Sequence, residues 1–534
     1  MTEHTHILIF SIGPVQSFIA EARRTIDLYA GSQMLAKIAC AAAQAVLANQ
    51  GELISPTQDS LHCDDTARVD TPNVIIALVN NPEEVARQAE EQATSRWHKF
   101  ANTAWKELAD REDPELQKIW NRQRDNQLEF YWVATEYDAR DYKKSYELAS
   151  RTLPARKWTR DFAQPEQEDG PKDALSGSRS ALRTSKSQNK EKSARDYWSQ
   201  MRINRTTAEL QEGELLDTIG TMKRFALGQQ GFPSTSTVAT TCFVRNCHRQ
   251  VLAELVGRIK AINEKIKNIP LDIDYGNEEG VQAARRFFVY KEDYLRRIKN
   301  FADSDFPYGG DLLYEEGWAR ERLAENYSKL PESAYEQVVQ EITSAKETLR
   351  LLHRDNPVNL SSFYAILQMD GDSMGKHLSQ CERLEEHQNL SNGLAKFTKT
   401  ASDIVQAHHG HLVYAGGDDV VAFFPVETVL TAADALCKAF RDQFADWSHE
   451  DPFTASTGIA FAHYLYPLDG VLAATRRAEK RAKNKYGRDA LCVTVLRRSG
   501  EPLEVGGKWG DNSIPNIVEL VNQLKKLLEG KQSS

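Results

Sequence analysis

The stretch Tyr414-Ala415-Gly416-Gly417-Asp418-Asp419-Val420-Val421-Ala422-Phe423-Phe424 constrains the fold more than any other part of the chain. Two short β-prone runs, His411 to Ala415 and Val420 to Val426, flank glycines and carboxylates, a pattern that predicts a hairpin with Asp418 at its tip. A Gly-Gly or Asp-rich turn also closes many ordinary hairpins, so the reading needs a second motif. It lies upstream. Phe363 to Met369 reads as a buried strand running into Asp370-Gly371-Asp372-Ser373-Met374-Gly375-Lys376, with a helix expected over about 390–408 between the strand and the hairpin. Strand end and hairpin tip can therefore meet.

Magnesium takes hard oxygen ligands and commonly uses one or two protein carboxylates together with substrate phosphates. Asp370 and Asp418 suit that role, and two such ions would polarise an α-phosphate and ease ionisation of an attacking ribose hydroxyl. Thr454 to Phe461 reads as a third strand. Leu472 to Lys485 reads as a helix with Arg476, Lys480 and Lys483 on one face, cations able to neutralise a triphosphate, although a solvated basic face has the same spacing.

Four motifs in this order carry a resemblance: Met369-Asp370-Gly371-Asp372-x-Met374-Gly375, Gly416-Gly417-Asp418-Asp419, Ser456-x-Gly458-Ile459 and Ala478-Glu479-x-x-Ala482-Lys483. Together they resemble the second palm domain of the large subunit of type III CRISPR effector complexes. The opening Ile7 to Ile19, with Ala22-Arg23-Arg24-Thr25-x-Asp27-Leu28-Tyr29-Ala30-Gly31-Ser32, is similar to the Cmr-type (type III-B) large subunit, as is Phe232 to Thr240. The resemblance implies an α+β, multi-domain protein with two ferredoxin-like palm domains joined by helical segments. It implies an ATP-consuming nucleotidyltransferase that makes cyclic oligoadenylate when the complex binds target RNA. Asp370, Asp418 and Asp419 would be catalytic, with Mg2+ or Mn2+ on Asp370 and Asp418. Gly371, Asp372, Gly416, Gly417, Lys480 and Lys483 would hold nucleotide. Partners would be the other Cmr-type subunits, crRNA and target RNA.

The expected organisation is a degenerate palm over 1–160, an insert over 161–235, a helical connector over 236–350, the catalytic palm over 351–500 and a short helical segment over 501–534. The first half lacks acids on its opening strand, and Asp70 to Leu78 carries Thr71-Pro72-Asn73 where the second half has glycines and aspartates. One metal site is expected, with Gly13, Ser17, Asp27 and Ser32 as candidates to hold a second ATP, or else to cap and pack the first helix. Many family members begin with an HD-type nuclease domain; this chain contains no His-Asp dipeptide and is not expected to cut DNA. Where relatives carry two Cys-x-x-Cys pairs, it has Asp173, Ser176, Asp217 and Gly220, so no zinc is expected. Cys242, Cys247 and His248 lack a second pair and read as ordinary residues.

A length of 534 residues fits about three to four domains. Scattered cysteines and the lack of a long apolar run point to a soluble cytoplasmic protein without a membrane span. A net charge of −9 argues against general nucleic-acid binding. A local basic run, Arg183, Lys186, Lys190, Lys192, Arg195, Arg202 and Arg205 around Tyr197 and Trp198, would either meet RNA or an acidic subunit or form a solvated loop, mobile over 176–193. Helices are expected over 249–268 and 318–353, and Ile514 to Leu528 has one apolar helical face that should pack on the palm or a partner. Three alternatives stay open: transfer of AMP to S-adenosylmethionine, a non-catalytic scaffold subunit, and a free-standing diguanylate cyclase.

Overall fold

A computed structural model describes residues 4–64, 67–159, 168–203, 210, 213–227, 231–267, 306–327, 332–447, 451–497 and 499–510. The first unit contains β1 (His6–Gly13), α1 (Gln16–Ala20), α2 (Thr25–Ala48), β2 (Glu52–Ser55), β3 (Val74–Val79), α3 (Pro82–Lys106), α4 (Pro114–Asp125), β4 (Glu129–Glu136) and α5 (Tyr142–Trp158). Helices α6 (Lys190–Ile203), α7 (Thr218–Phe225), α8 (Thr235–Asn246), α9 (Arg249–Lys267), α10 (Arg320–Tyr327) and α11 (Glu332–Arg354) follow. The second unit contains β5 (Phe363–Gly371), α12 (Met374–Gln380), α13 (Leu384–Ala407), β6 (His411–Gly416), β7 (Asp419–Pro425), α14 (Val429–Gln443), β8 (Ala455–His463), α15 (Leu468–Asn484), β9 (Ala490–Val495) and β10 (Leu503–Lys508).

The first sheet has the antiparallel order β2-β3-β1-β4, and the second repeats it as β6-β7-β5-β8. Two ferredoxin-like units are thus present. In the second, α15 crosses over to bring β9 parallel beside β8, and β10 pairs with β9. The sheet therefore runs past residue 500 into the stretch expected to be helical; the amphipathic segment Ile514 to Leu528 lies outside the described residues.

Local chemistry explains the elements. Pro82 with Glu83 and Glu84 opens α3, and the Asp113 carboxylate accepts from the Glu115 and Leu116 N–H groups (3.0 and 3.1 Å) to cap α4. The first unit does not have the tight hairpin expected near Thr71-Pro72-Asn73. Residues 56–73 contain no glycine to turn in two residues, so the chain leaves the sheet after Ser55 and returns at Val74. That excursion carries Cys63, disulfide-bonded to Cys40 of α2, a pairing that the scattered cysteine spacing did not indicate.

Within the basic run, of which Arg205 lies outside the described residues, ion pairs form inside the chain. Tyr197 and Trp198 are buried on α6, Arg183 pairs with Glu115 (2.7 Å), Lys186 with Asp110 (2.7 Å), Lys190 with Asp169 (2.6 Å) and Arg195 with Glu191 (2.6 Å). Each of these cations has its counter-ion within the chain. The expected helix over 318–353 is divided between α10 and α11, and α9 and α11 share a separate apolar cluster through Leu252, Ile259, Ile342 and Leu349. No helix among the described residues is long and apolar enough to cross a membrane.

The two units interlock through both sheet faces. Ile7 and Ile9 of β1 cluster with Leu390 and Phe397 of α13, while Leu8 and Phe10 share a core with Tyr364 and Ile366 of β5. Helix α2 packs against β6 and α13 packs against β2, a reciprocal exchange of long helices onto edge strands. At this seam Tyr142 and His387 share a 2.6 Å hydrogen bond through Nδ1, and burial lowers the His387 pKa from 6.5 to about 4. Below pH 6.5 the unfolded chain takes up a proton that the native histidine refuses until about pH 4, so stability falls through that window. His387→Asn keeps an acceptor for Tyr142 and does not titrate. Chemical unfolding at pH 7 and pH 4 is expected to give the variant about 3 kcal/mol less acid destabilisation than the wild type; equal losses would contradict the assignment.

Candidate active site

The central strand β5 ends at Asp370-Gly371, and its neighbour β7 begins at Asp419, directly after the turn that carries Gly417 and Asp418. Gly417 has φ +70, the left-handed conformation the tight turn requires. A Cβ on Gly371 would lie 2.7 Å from the Asp418 Cβ, so only glycine lets the hairpin tip close onto the strand end. Asp418 is thereby set against Gly371, the residue that follows Asp370. Gly416 has open space around its Cα, which leaves the backbone accessible.

Charge is concentrated here. The Asp370 carboxylate pairs with the Lys483 ammonium, which also lies 3.1 Å from Glu479 one turn earlier on α15. Burial raises the pKa values of Asp418 and Asp419, and for Asp419 the adjacent Asp418 and Glu479 charges raise it further. Burial also pushes Glu479 up to about 7 and Lys483 down to about 8. Among the described residues, no three His, Cys, Asp or Glu side chains form a ready-made metal cage. The donor set fits a hard divalent cation that keeps water and substrate oxygens in its shell, and like charges crowded in a desolvated site favour such an ion.

The other expected site residues separate into groups. Asp372 is buried and its carboxylate accepts from Thr454 Oγ1 (2.9 Å), Ser456 Oγ (2.7 Å) and the Asp489 N–H (2.8 Å). It braces the strand end from inside the protein. Lys480 is exposed on α15 beside Glu479, and Arg476, on the same helix, reaches the Gln16 carbonyl of α1 (3.4 Å). Ser17, exposed on α1, is therefore at the seam near α15.

Asp27 and Ser32 are buried in α2 instead. The Arg224 guanidinium grips Asp27 through two bonds (2.8 and 2.9 Å) and also bonds Glu214 (2.9 Å), fastening the insert to α2. Asp27 is thus part of a buried ion-pair network, where loss of one partner strands a charge. In the insert, Asp173 accepts from the Leu175 and Ser176 N–H groups (2.7 and 2.8 Å) and Asp217 from the Gly220 N–H (2.6 Å). Arg179 joins Asp217 to Glu21, so a guanidinium serves as the cation among these turns and no thiol or imidazole is among them. Cys242 and Cys247 are buried, with burial raising both thiol pKa values.

Two residues were missed from the candidate set. Glu479 lay within a quoted motif but was given no role. Lys157 is visible only through the repeat: α5 and α15 are both 17-residue helices with lysine in the next-to-last position. Lys483 reaches Asp370 of β5, and Lys157 Nζ reaches Ser11 Oγ of β1 (2.9 Å). The first unit has lost the acid and kept the cation.

The Cas10/Cmr2 second palm domain model matches residues 363–492, and the Cmr2 N-terminal model matches residues 7–109. Over these two stretches the chain is similar to the Cas10/Cmr2 family. The CRISPR system Cmr subunit Cmr2 of Pyrococcus furiosus is 30% identical over 231 residues, which are 38% of this chain and only 26% of that protein. A chain of the type III-B Cmr-beta structure in its apo state has a TM-score of 0.60 at 14% identity, covering 98% of this chain and 73% of that one. Its counterpart bound to cognate target RNA gives 0.54 at 12% identity, covering 94% and 70%. These structures share the fold. The approach of Asp418 to Gly371 is open to a direct test: Gly371→Ala should force Asp418 away from the strand end. Calorimetric titration with Mn2+ and ATP is expected to show affinity at least tenfold weaker, about 1.4 kcal/mol, and unchanged affinity would contradict the geometry.

Proposed function

We propose that this chain is the palm subunit of a type III-B CRISPR effector complex and that its second palm converts ATP into cyclic oligoadenylate when the complex binds target RNA. The observation that carries the reading is the convergence of Asp370, Asp418, Asp419 and Lys483 at the strand end and hairpin tip of the domain matched by the Cas10/Cmr2 second palm model. The likeness to the Cmr-beta chains, one of them from a structure with cognate target RNA, supports an assembly with other Cmr-type subunits, crRNA and target RNA.

In the proposed reaction the 3′-hydroxyl oxygen of one ATP forms a bond to the α-phosphorus of another. The bond from that phosphorus to the bridging oxygen breaks, pyrophosphate leaves, and the hydroxyl proton passes to solvent. Mg2+ or Mn2+ held by Asp370 and Asp418 would neutralise phosphate charge and favour ionisation of the hydroxyl. The chain's own part is to gather and orient. Gly416 and Gly417 leave the hairpin backbone open to phosphate oxygens, Asp372 braces the strand end, and Asp419 supports the tip. Lys483 and Lys480 offer positive charge along α15 for the triphosphate. Lys157 beside Ser11, with the exposed Ser17, offers the first palm a hold on the second nucleotide.

Mass spectrometry of products from the assembled complex, with Mg2+, ATP and S-adenosylmethionine, tests the reading. Cyclic oligoadenylate is expected only with matching target RNA, and replacing Asp418 and Asp419 together by Ala should lower its formation at least a thousandfold. An AMP adduct of S-adenosylmethionine would reassign the acceptor. No product from a complex demonstrably bound to RNA would overturn the enzymatic reading in favour of a scaffold.

A further inference from the structure

Glu479 is a buried carboxylate, 5% exposed, that the proposed reaction does not use. Its place is set by the backbone. A Cβ on Gly458 of β8 would strike the Glu479 backbone nitrogen and the Thr475 carbonyl oxygen, so α15 lies flush on β8 at this point. In the ladder between β5 and β8, Asp370 stands opposite Ser456, two residues from Gly458. Directly opposed residues, and residues two apart along a strand, share a sheet face. The Asp370 side chain therefore emerges on the face that α15 covers.

Lys483 follows Glu479 by one turn of α15, a spacing that makes the two side chains neighbours. Its ammonium pairs with Asp370 and also lies 3.1 Å from Glu479 Oε1, so one cation bridges a helix carboxylate and a strand-end carboxylate. The Lys483 side chain is only 18% exposed. An ammonium in such a place that loses its sole counter-ion is left as an uncompensated charge. Asp370 is also the carboxylate that the proposed reading gives to a divalent cation, for which ammonium and metal compete. Glu479 supplies the ammonium with a second carboxylate.

We infer that Glu479 is a positioning residue that retains the Lys483 ammonium when a divalent cation takes Asp370, so that the metal position fills before nucleotide arrives. Glu479 touches neither metal nor substrate; it acts through Lys483. The exchange is a change of ion-pair partner in which no covalent bond forms or breaks and the lysine keeps its proton. Held at Glu479, the ammonium stays on α15 within the site, ready for the triphosphate. Without Glu479, Lys483 would yield Asp370 only to an incoming phosphate, and cation entry would be tied to nucleotide binding. The inference rests on the reading of Asp370 and Asp418 as metal ligands.

The test is calorimetric titration of Mn2+ alone, without nucleotide, into the full chain as wild type, Glu479→Gln, Lys483→Met and the double variant. Glutamine keeps the size and an acceptor oxygen but not the charge. Glu479→Gln is expected to weaken Mn2+ binding at least fivefold, and the same change in the Lys483→Met background to alter it less than twofold, because the ammonium transmits the effect. A smaller loss in the first case, or a loss of the same size without Lys483, would overturn the inference. Glu479→Asp keeps the charge and is expected to bind Mn2+ within threefold of wild type; binding as weak as in Glu479→Gln would overturn the positioning role. In the assembled complex with target RNA, the apparent KM for Mn2+ of Glu479→Gln should rise at least fivefold while kcat at saturating Mn2+ falls less than threefold, and a loss confined to kcat would contradict it. Calorimetry decides the inference whether or not product forms. Failure of the wild type to bind Mn2+ would instead overturn the metal reading itself, and the inference with it.

Discussion

Like charges forced together in a partly desolvated corner are the constraint on which the rest of the second palm depends. Asp418, Asp419 and Glu479 come from a hairpin tip and a helix and repel one another, while Asp370 at the neighbouring strand end and Glu479 both pair with Lys483. Lys483, with Lys480 beside Glu479, offsets only part of this negative charge. In the proposed reading a divalent cation would relieve this excess of negative charge and let anionic phosphates approach. The rest of the unit serves that convergence: Gly371 lets the tip approach, Asp372 ties the strand end to β8 and to the turn after α15, and the crossover helix aims its lysine back at β5.

The reciprocal packing of the two palms gives the degenerate one a physical role. Each sends its long first helix, α2 or α13, onto the other's edge strand, so neither sheet can move without disturbing the other's core. The first palm has no glycine turn and no acid on its opening strand, and carries instead a long excursion fixed to α2 at Cys40 and Gln33. The insert reinforces the same body through Arg224, Asp27 and Glu214, a network that holds α2 at the seam. Rigid coupling of this kind is what an assembly would need in order to pass a change at a distant RNA-binding surface to a hairpin tip.

Much of the site was legible because it is written in short stretches. The 369–375 and 414–424 segments alternate apolar runs with Gly and Asp, and strand, turn and carboxylate follow from a dozen residues each. What was not legible depends on contacts distant in sequence. Asp27 and Ser32 are buried in α2, and the pairing of Asp27 with Arg224 of the insert is a tertiary fact with no local pattern. Lys157 sits in no motif, and only the repeated strand order aligns it with Lys483. The pairing of Cys40 with Cys63 and the internal counter-ions of Arg183 and Lys186 were hidden for the same reason. Strand β10 escaped because Leu503-Glu504-Val505-Gly506-Gly507 is short, polar on one face and rich in glycine, signals that local reading assigns to a loop.

The central claim is that the second palm's carboxylates hold a divalent cation against a nucleotide triphosphate. The most direct measurement is a cryo-EM reconstruction of the assembled complex with target RNA, Mn2+ and an ATP analogue that cannot release pyrophosphate. The account predicts metal density touching Asp370 and Asp418, with the Lys483 ammonium moved from Asp370 to the phosphates. Metal and analogue bound elsewhere, with the Lys483–Asp370 pair intact, would contradict it.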